Sequence, residues 1–267
     1  MPKNSFYKMN GNGNDFIIIF SRDLGIDLKK DFIQKICNRG EGIGCDQLIV
    51  LSESVKSDVK MVIYNQDGTE GSACGNASRC VGWLVSKQKD KNTISIETVN
   101  RELVCFVDGN NVTVNMGLAN FAPISSNIPN EFKDGFIDFS DNNLGLGYYV
   151  NVGNDHLIFI VSDINKINAK DDLSNYESHI FFPEHINVSA IELSNDYIKQ
   201  VTFERGAGET LSCGTAACAA FAISRKYKNA IADVEIQQPG GKLILSENER
   251  GELLMSGEII FEYQDII

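Results

Sequence analysis

Short apolar runs recur along the whole chain, and most have the length of strands rather than helices. FIIIF at 16–20, QLIVL at 47–51, DVKMVIY at 58–64 and ELVCFVDGNNVTVNM at 102–116 are rich in β-branched and aromatic residues, which suit a pleated, half-buried surface. The last run is long enough for two strands and predicts a hairpin turning at Asp108, Gly109, Asn110 and Asn111. YYVNV at 148–152, LIFIV at 157–161, QVTFE at 200–204 and KLILS at 242–246 continue the pattern. Helical periodicity is confined to three places. One helix is predicted after Asp27 as N-cap, with Leu28, Phe32, Ile33, Ile36 and Cys37 on one face and its end by Gly40. The other two are GNASRCVGWLVSKQK from Gly75 and GTAACAAFAISRKYK from Gly214. Both are apolar around most of their circumference before turning charged, the pattern of a helix enclosed by a sheet.

The pattern also repeats at long range. Gly13-Asn14-Asp15-Phe16 followed by IIIF resembles Gly153-Asn154-Asp155-His156 followed by LIFI, at an offset of 140 residues. The segment from Glu70 to Ala77 resembles that from Glu209 to Ala216 at an offset of 139, and Tyr64-Asn65 lines up with Phe203-Glu204 at the same offset. Three matches in one order point to a duplicated unit of about half the chain. Two similar α/β domains are therefore expected, with residues 119–132, ANFAPISSNIPNEF, as the linker between them.

Composition narrows the partners. With 267 residues, 43% of them hydrophobic, the chain can fill real cores. Its formal net charge of −12 argues against nucleic acid or an anionic membrane surface, both of which call for clustered Lys and Arg. The opening MPKNSFYKMNGNGNDF lacks the apolar stretch of a signal peptide, and no later apolar run spans a bilayer, so a cytoplasmic protein is expected. Seven cysteines, an odd number without CxxC spacing, and only three histidines favour free thiols over a disulfide framework or a zinc site.

Two of those thiols occupy equivalent places in the repeat. Cys74 and Cys213 each come immediately before a predicted helix that starts with Gly. The partial positive charge and unpaired amides of a helix N-terminus favour an anion, so each thiol is expected to have a pKa lowered toward neutrality. Inverting a stereocentre by proton transfer needs a base on one face and an acid on the other, and two symmetry-related thiols in a cleft meet that need. The first-turn amides of both helices would hold a carboxylate next to the reacting carbon and stabilise the charge that spreads onto it when the proton leaves. No cofactor would be required. An isolated Cys-Gly is most often a small buried residue; the duplication is what separates this pair from that reading.

These segments resemble the diaminopimelate epimerase family. The resemblance rests on KMNGNGNDF, GCDQ, YNQDGTEGSACGNASRC, VGNDH, FFPEHINV, FERGAGETLSCGTAACAA and PGGKL, which follow in the family's order and cover essentially the whole chain. It implies a cofactor-independent epimerase interconverting LL- and meso-2,6-diaminoheptanedioate, on the way to lysine and peptidoglycan precursors. The implied fold is α/β: two pseudo-twofold-related domains, each a mixed sheet wrapped around a central helix, with the active site in the cleft between them. The expected domains are residues 1–118, joined by a returning C-terminal strand at about 258–267, and residues 119–257. Cys74 and Cys213 match the catalytic acid/base positions. Asn14, Gln47, Asn65, Gly75, Asn76, Asn154, Asn187, Glu204, Arg205, Gly214 and Thr215 match substrate-contacting positions, the backbone amides serving at Gly75, Asn76, Gly214 and Thr215. Arg205 would fork onto the distal carboxylate and Glu204 accept from an ammonium. His156 and Glu204 match positions that adjust thiol ionisation, and family members commonly form homodimers. Cys37, Cys45, Cys80, Cys105 and Cys218 are expected to be structural.

The chain departs from the family pattern at Asp155, which replaces a proline, and at Asn10 and Asn12, which replace His and Leu. Losing the proline ring frees φ and restores an N–H, which predicts a looser loop around Asn154. Three other functions fit parts of the pattern. One is a racemase or epimerase of the same fold acting on proline or hydroxyproline; a second is a cysteine-nucleophile or thiol-disulfide enzyme using Cys213 with His156; a third is a binding protein that keeps the fold. The pairing of Glu204 with Arg205 favours a substrate with a second zwitterionic end.

Overall fold

The computed structural model describes residues 2–25, 28–71, 74–122, 135–139, 144–228 and 233–267. The chain divides into two compact units, one made of Met1–Asn115 with Ser256–Ile267, the other of Met116–Met255.

In the first unit, strands β1 (Ser5–Gly11) and β2 (Asn14–Phe20) form a hairpin. Helix α1 (Lys30–Cys37) then leads to β3 (Gln47–Ser52), parallel to β2, and β4 (Val59–Asn65), antiparallel to β3. The short β5 (Glu70–Gly71) folds back on β4. Helix α2 (Gly75–Lys89) follows, then β6 (Thr93–Glu97) parallel to β4, and the antiparallel pair β7 (Glu102–Asp108) and β8 (Asn111–Leu118). The second unit carries β9 (Phe136–Asp138), β10 (Leu146–Asn151), β11 (Asp155–Val161), α3 (Ser174–Glu177), β12 (Asn187–Leu193), β13 (Tyr197–Glu204), β14 (Gly208–Thr210), α4 (Gly214–Lys228), β15 (Val234–Gln238) and β16 (Gly241–Glu247). Strand β17 (Glu252–Glu258) pairs with β8, and β18 (Ile260–Ile266) runs antiparallel to β1.

The topology repeats step for step. β10 and β11 form a hairpin as β1 and β2 do, β11 and β12 are parallel, β13 is antiparallel to both β12 and β14, and β15 runs parallel to β13 across the intervening helix. Even the strand outside the hairpin recurs, β9 against β10 and β18 against β1. The mixed α/β architecture expected of the sequence is present in both halves.

The two largely apolar helices lie where their composition puts them. In α2 every residue from Gly75 to Gly82 is buried, and the helix packs on β1, β2, β6 and β7. In α4 everything from Gly214 to Ser224 is buried, with contacts to β10 through β13, β15 and β16. Each is enclosed by the strands of its own unit, and apart from the buried Arg79 of α2 the charged residues lie toward the C-terminal end, where Lys and Arg suit the helix terminus. Cys80, Cys105 and Cys218 are fully buried packing residues, and Cys37 and Cys45 lie side by side with Sγ atoms 3.5 Å apart.

Some elements differ from the sequence expectation. Helix α1 starts at Lys30 with Lys29 as its N-cap and no side-chain cap, and it ends at Cys37; Asp27, the expected cap, lies outside the described residues. Leu28 and Phe32 still pack on the cluster formed by Ile17, Ile19, Ile33, Ile36 and Leu48. Most of the expected linker, from residue 123 onward, also lies outside the described residues. The hairpin at 108–111 is present, with Gly109 at φ +60° in the two-residue turn.

Candidate active site

In each unit the expected site residues lie on strand ends that converge on a helix start. In the first unit Asn14 opens β2, Gln47 opens β3 and Asn65 closes β4. The register pairs Phe16 with Gln47 and Gln47 with Asn65, which brings these side chains to one sheet end. The Gln47 amide donates to Asn65 Oδ1 at 3.0 Å, and Asn65 Nδ2 to Thr69 at 3.2 Å. Cys74, in extended conformation, caps α2: its carbonyl accepts from Ser78 N–H and its sulfur from Ala77 N–H at 3.4 Å. The thiol points to Asn14 Oδ1, 3.6 Å away. Gly75 and Asn76 are buried in the first turn, where amides lack intrahelical acceptors.

The second unit reproduces this frame with different side chains. Asn154 precedes β11, His156 pairs with Asn187 across parallel strands, and Val188 pairs with Phe203 one position inside Asn187 and Glu204. Cys213 directly precedes α4, its carbonyl accepts from Ala217 N–H, and Ala216 N–H reaches its sulfur as Ala77 N–H reaches Cys74. The Thr215 hydroxyl lies 3.5 Å from Cys213 Sγ and accepts from Asn154 Nδ2 at 3.2 Å. Glu204 takes a 2.6 Å hydrogen bond from Thr210. The Asn187 amide joins two strand ends, donating to Asp155 O at 2.9 Å and accepting from Arg205 N–H at 3.2 Å. Arg205 itself is exposed, with one guanidinium nitrogen 3.4 Å from Glu184 O.

Electrostatics distinguishes the second half-site and corrects the sequence expectation for one thiol. Cys213 is 6% exposed, and burial together with the negative charge of Glu204 raises its pKa well above the ordinary thiol value. Hydrogen bonds from Thr215 and from the Ala216 amide oppose that rise without cancelling it. The helix end alone therefore does not lower this pKa to neutrality; desolvation is the larger effect. Glu204 is raised too, by burial, against the lowering hydrogen bonds of Thr210 and the Cys213 thiol. His156 is fully buried and depressed to about 3 by burial and by Arg205, so its ring is neutral. Its Nε2 lies 3.0 Å from Asn154 Oδ1, which makes Asn154, rather than a thiol, its hydrogen-bonding partner.

Asp155 tightens the loop that was expected to loosen. Its carboxylate accepts from Tyr149 Oη at 2.5 Å and from Asn151 Nδ2 at 2.7 Å, a cross-brace over the β10–β11 hairpin. Asn12 is equally at home: with Gly13 it forms the two-residue turn between β1 and β2 at φ +61° and +82°. Asn-Gly is the dipeptide preferred where both turn residues need positive φ. Asn10 Oδ1 accepts from Gly13 N–H at 3.0 Å.

Residues 6–122 and 148–262 match the family described as diaminopimelate epimerase. The chain belongs to the diaminopimelate epimerase family. It is 38% identical to the diaminopimelate epimerase of Pelagibacter ubique (strain HTCC1062), over 95% of this chain and 94% of that protein. It is 37% identical to that of Prochlorococcus marinus (strain NATL2A), over 96% of this chain and 95% of the relative. Among solved structures, the Bacillus anthracis phenazine biosynthesis protein of the PhzF family superposes with a TM-score of 0.71 at 16% identity, covering 100% of this chain and 99% of that one. That likeness shows a shared fold.

Two residues bonded to the expected site residues escaped the sequence reading. Asp46 sits inside the quoted GCDQ motif, yet only Gln47 was singled out there; Asp46 Oδ2 accepts from Asn14 Nδ2 at 2.8 Å. Thr210, which anchors Glu204, had no signal beyond its place in the repeated segment. Among the described residues no cluster of three or more His, Cys, Asp or Glu could hold a metal ion, and no helix is long and apolar enough to cross a membrane. Two cavities in the second unit, of about 600 and about 540 Å³, are lined by none of the expected site residues.

Proposed function

We propose that this chain interconverts LL- and meso-2,6-diaminoheptanedioate by a two-base mechanism, with Cys74 and Cys213 as the acid/base pair and no cofactor. One observation carries the reading: two thiols sit at equivalent helix starts of a duplicated topology, each accepting from the third amide of its own helix. A single nucleophilic cysteine explains only one of them, and the His156 ring of that rival reading bonds to Asn154.

In this mechanism one sulfur takes the α-proton as thiolate while the other, as thiol, gives a proton to the opposite face. The amides of Gly75, Asn76, Gly214 and Thr215 hold the adjacent carboxylate and stabilise the charge that develops on it. Glu204 accepts from an ammonium group of the substrate. The substrate's positive charge would offset the carboxylate charge that raises the Cys213 pKa in the free protein, so binding itself eases formation of the thiolate. Arg205 takes the distal carboxylate in a bidentate pair, and Asn14, Gln47, Asn65, Asn154 and Asn187 supply neutral donors and acceptors around it. His156 acts on ionisation through Asn154 and Thr215. Cytoplasmic residence and a homodimeric assembly belong to the same reading, on the strength of the family resemblance.

The discriminating assay follows LL-diaminopimelate in D₂O, with proline and hydroxyproline as comparison substrates. Two bases predict solvent deuterium at the inverted carbon of product from the first turnover and largely unlabelled substrate early on. Cys74→Ala and Cys213→Ala should each abolish inversion. Normal turnover by either variant, or substrate hydrogen carried into product, would overturn the two-thiol mechanism; turnover of proline alone would move the assignment to the sister racemases.

A further inference from the structure

We propose that Asp46, locked by Arg39, is a positioning residue for Cys74: it holds the Asn14 amide with its oxygen toward the sulfur, so that Cys74 stands as a neutral thiol in the unliganded protein. The proposal rests on the reading of Cys74 as the acid/base group of its half-site and adds what sets its protonation state.

The chain of contacts is continuous. Asp46 Oδ2 lies 2.8 Å from Asn14 Nδ2 and 3.0 Å from the Asp15 N–H, while Oδ1 takes a 2.7 Å bond from Arg39. A carboxylate flanked by a guanidinium is an acceptor only. Asn14 must therefore turn its NH₂ to Asp46, which leaves its carbonyl oxygen facing Cys74 Sγ at 3.6 Å. An acceptor can bond S–H but not S⁻, so this orientation favours the thiol.

The lock is itself braced. Asp15, its side chain 12% exposed, receives Arg39 at 2.7 and 3.1 Å, Lys8, and the Asp46 N–H at 3.0 Å. Lys8 also donates to Gly44 O. Despite burial, the hydrogen bonds from Arg39 and Lys8 hold the Asp15 carboxyl well below the usual carboxylate range, so it remains an acceptor. On α2 itself, Arg79, buried and electrostatically coupled to Cys74, and the buried thiol Cys80 also act on Cys74. Arg79 and the Ala77 N–H favour the thiolate, and the Asn14 oxygen favours the thiol.

The second unit shows what the arrangement looks like without the carboxylate. At the position of Asp46 in the repeat stands Ile186, and there Asn154 directs its NH₂ to Thr215, whose hydroxyl is next to Cys213. The matched asparagines are thus turned differently: Asn14, held by Asp46, offers its oxygen to Cys74, whereas Asn154, its oxygen 3.0 Å from His156 Nε2, gives its NH₂ to Thr215.

The test reads Cys74 directly, without substrate. In a Cys213→Ala background, the pH dependence of Cys74 alkylation by iodoacetamide is followed by peptide mass spectrometry. Asp46→Ala frees the Asn14 amide to turn an N–H to the sulfur, and the alkylation midpoint should fall by about one pH unit, about a tenfold gain in thiolate below the midpoint. In Asn14→Ala the same Asp46 substitution should have no further effect, because the relay is already cut. Asp46→Asn serves if the alanine variant does not fold, with a shift of the same sign expected. An unchanged midpoint in a folded Asp46 variant, or an equal shift when Asn14 is absent, would overturn the relay. Because alkylation needs no turnover, such a failure is distinguishable from a failure of the epimerase reading, which would appear only in the assay with diaminopimelate.

Discussion

A thiol at a helix start is not by itself a lowered thiol, and Cys213 shows why. The Ala216 amide and the Thr215 hydroxyl stabilise its anion, but burial and the facing Glu204 carboxylate outweigh them. Removing the charge while keeping the shape separates these contributions. Glu204→Gln should lower the alkylation midpoint of Cys213, measured in a Cys74→Ala background, by about one unit, since a like charge within hydrogen-bonding distance is worth roughly one to three. The same substitution should raise KM for diaminopimelate, because the ammonium loses its acceptor. A midpoint that stays put would show that desolvation alone raises this thiol.

At the scale of elements, the hairpins and enclosed helices set how accurately side chains are held. Asp155 replaces a rigid ring by two hydrogen bonds to Tyr149 and Asn151. Asp155→Ala leaves those donors without their acceptor and should cost about 1–3 kcal/mol, read from urea unfolding. Asp155→Pro, the family's own residue, should lose less because the ring restores the constraint on φ. Helix α2 is equally demanding. A Cβ added at Gly82 would lie 2.7 Å from Cys105 Cβ and 3.0 Å from its Sγ, both on the strand beneath. Gly82→Ala should therefore destabilise by about 1–3 kcal/mol despite alanine's better helix propensity, and a stabilised variant would show that the strand yields.

For the whole molecule, buried groups tie stability to pH, His156 and Asp15 in one direction and Glu204, raised by burial, in the other. His156 is neutral when folded, depressed to about 3 from an ordinary 6.5, so the unfolded chain takes up its proton first as pH falls. Stability is lost progressively below about 6.5, at up to one proton, about 1.4 kcal/mol, per pH unit. Asp15, held low in the folded state by Arg39 and Lys8, adds a loss in the same direction at more acid pH. Urea unfolding at pH 7, 6 and 5 should show the decline, and His156→Gln should flatten it by close to one proton. Mild oxidation tests the pairing of the two halves of the site. If both sulfurs reach one carbon, substrate-free protein should form a Cys74–Cys213 disulfide reversibly, and bound substrate should suppress it. A bridge between other cysteines with activity retained would count against the pair.

Strand-length runs, the two enclosed helices and the duplication were all legible in the linear pattern, because burial periodicity and repeated motifs are properties of neighbouring residues. Cys74 and Cys213 were legible for the same reason: each stands beside a helix start, and the repeat marks both. Several strands were not. β1 contains the buried Lys8, whose inward position makes sense only once Asp15 and Gly44 are in place, and β18 has every residue exposed and so no alternation to detect, so that only the family resemblance pointed to it. Protonation was also beyond the sequence. Whether a thiol sits near neutrality depends on desolvation and on which partner faces it, and those partners, Glu204 for Cys213 and Asn14 with Asp46 for Cys74, are brought to the sulfur by the fold. Local sequence therefore determined which residues could react, while tertiary packing decided what charge they carry, because solvation and hydrogen-bond polarity exist only where separate segments meet.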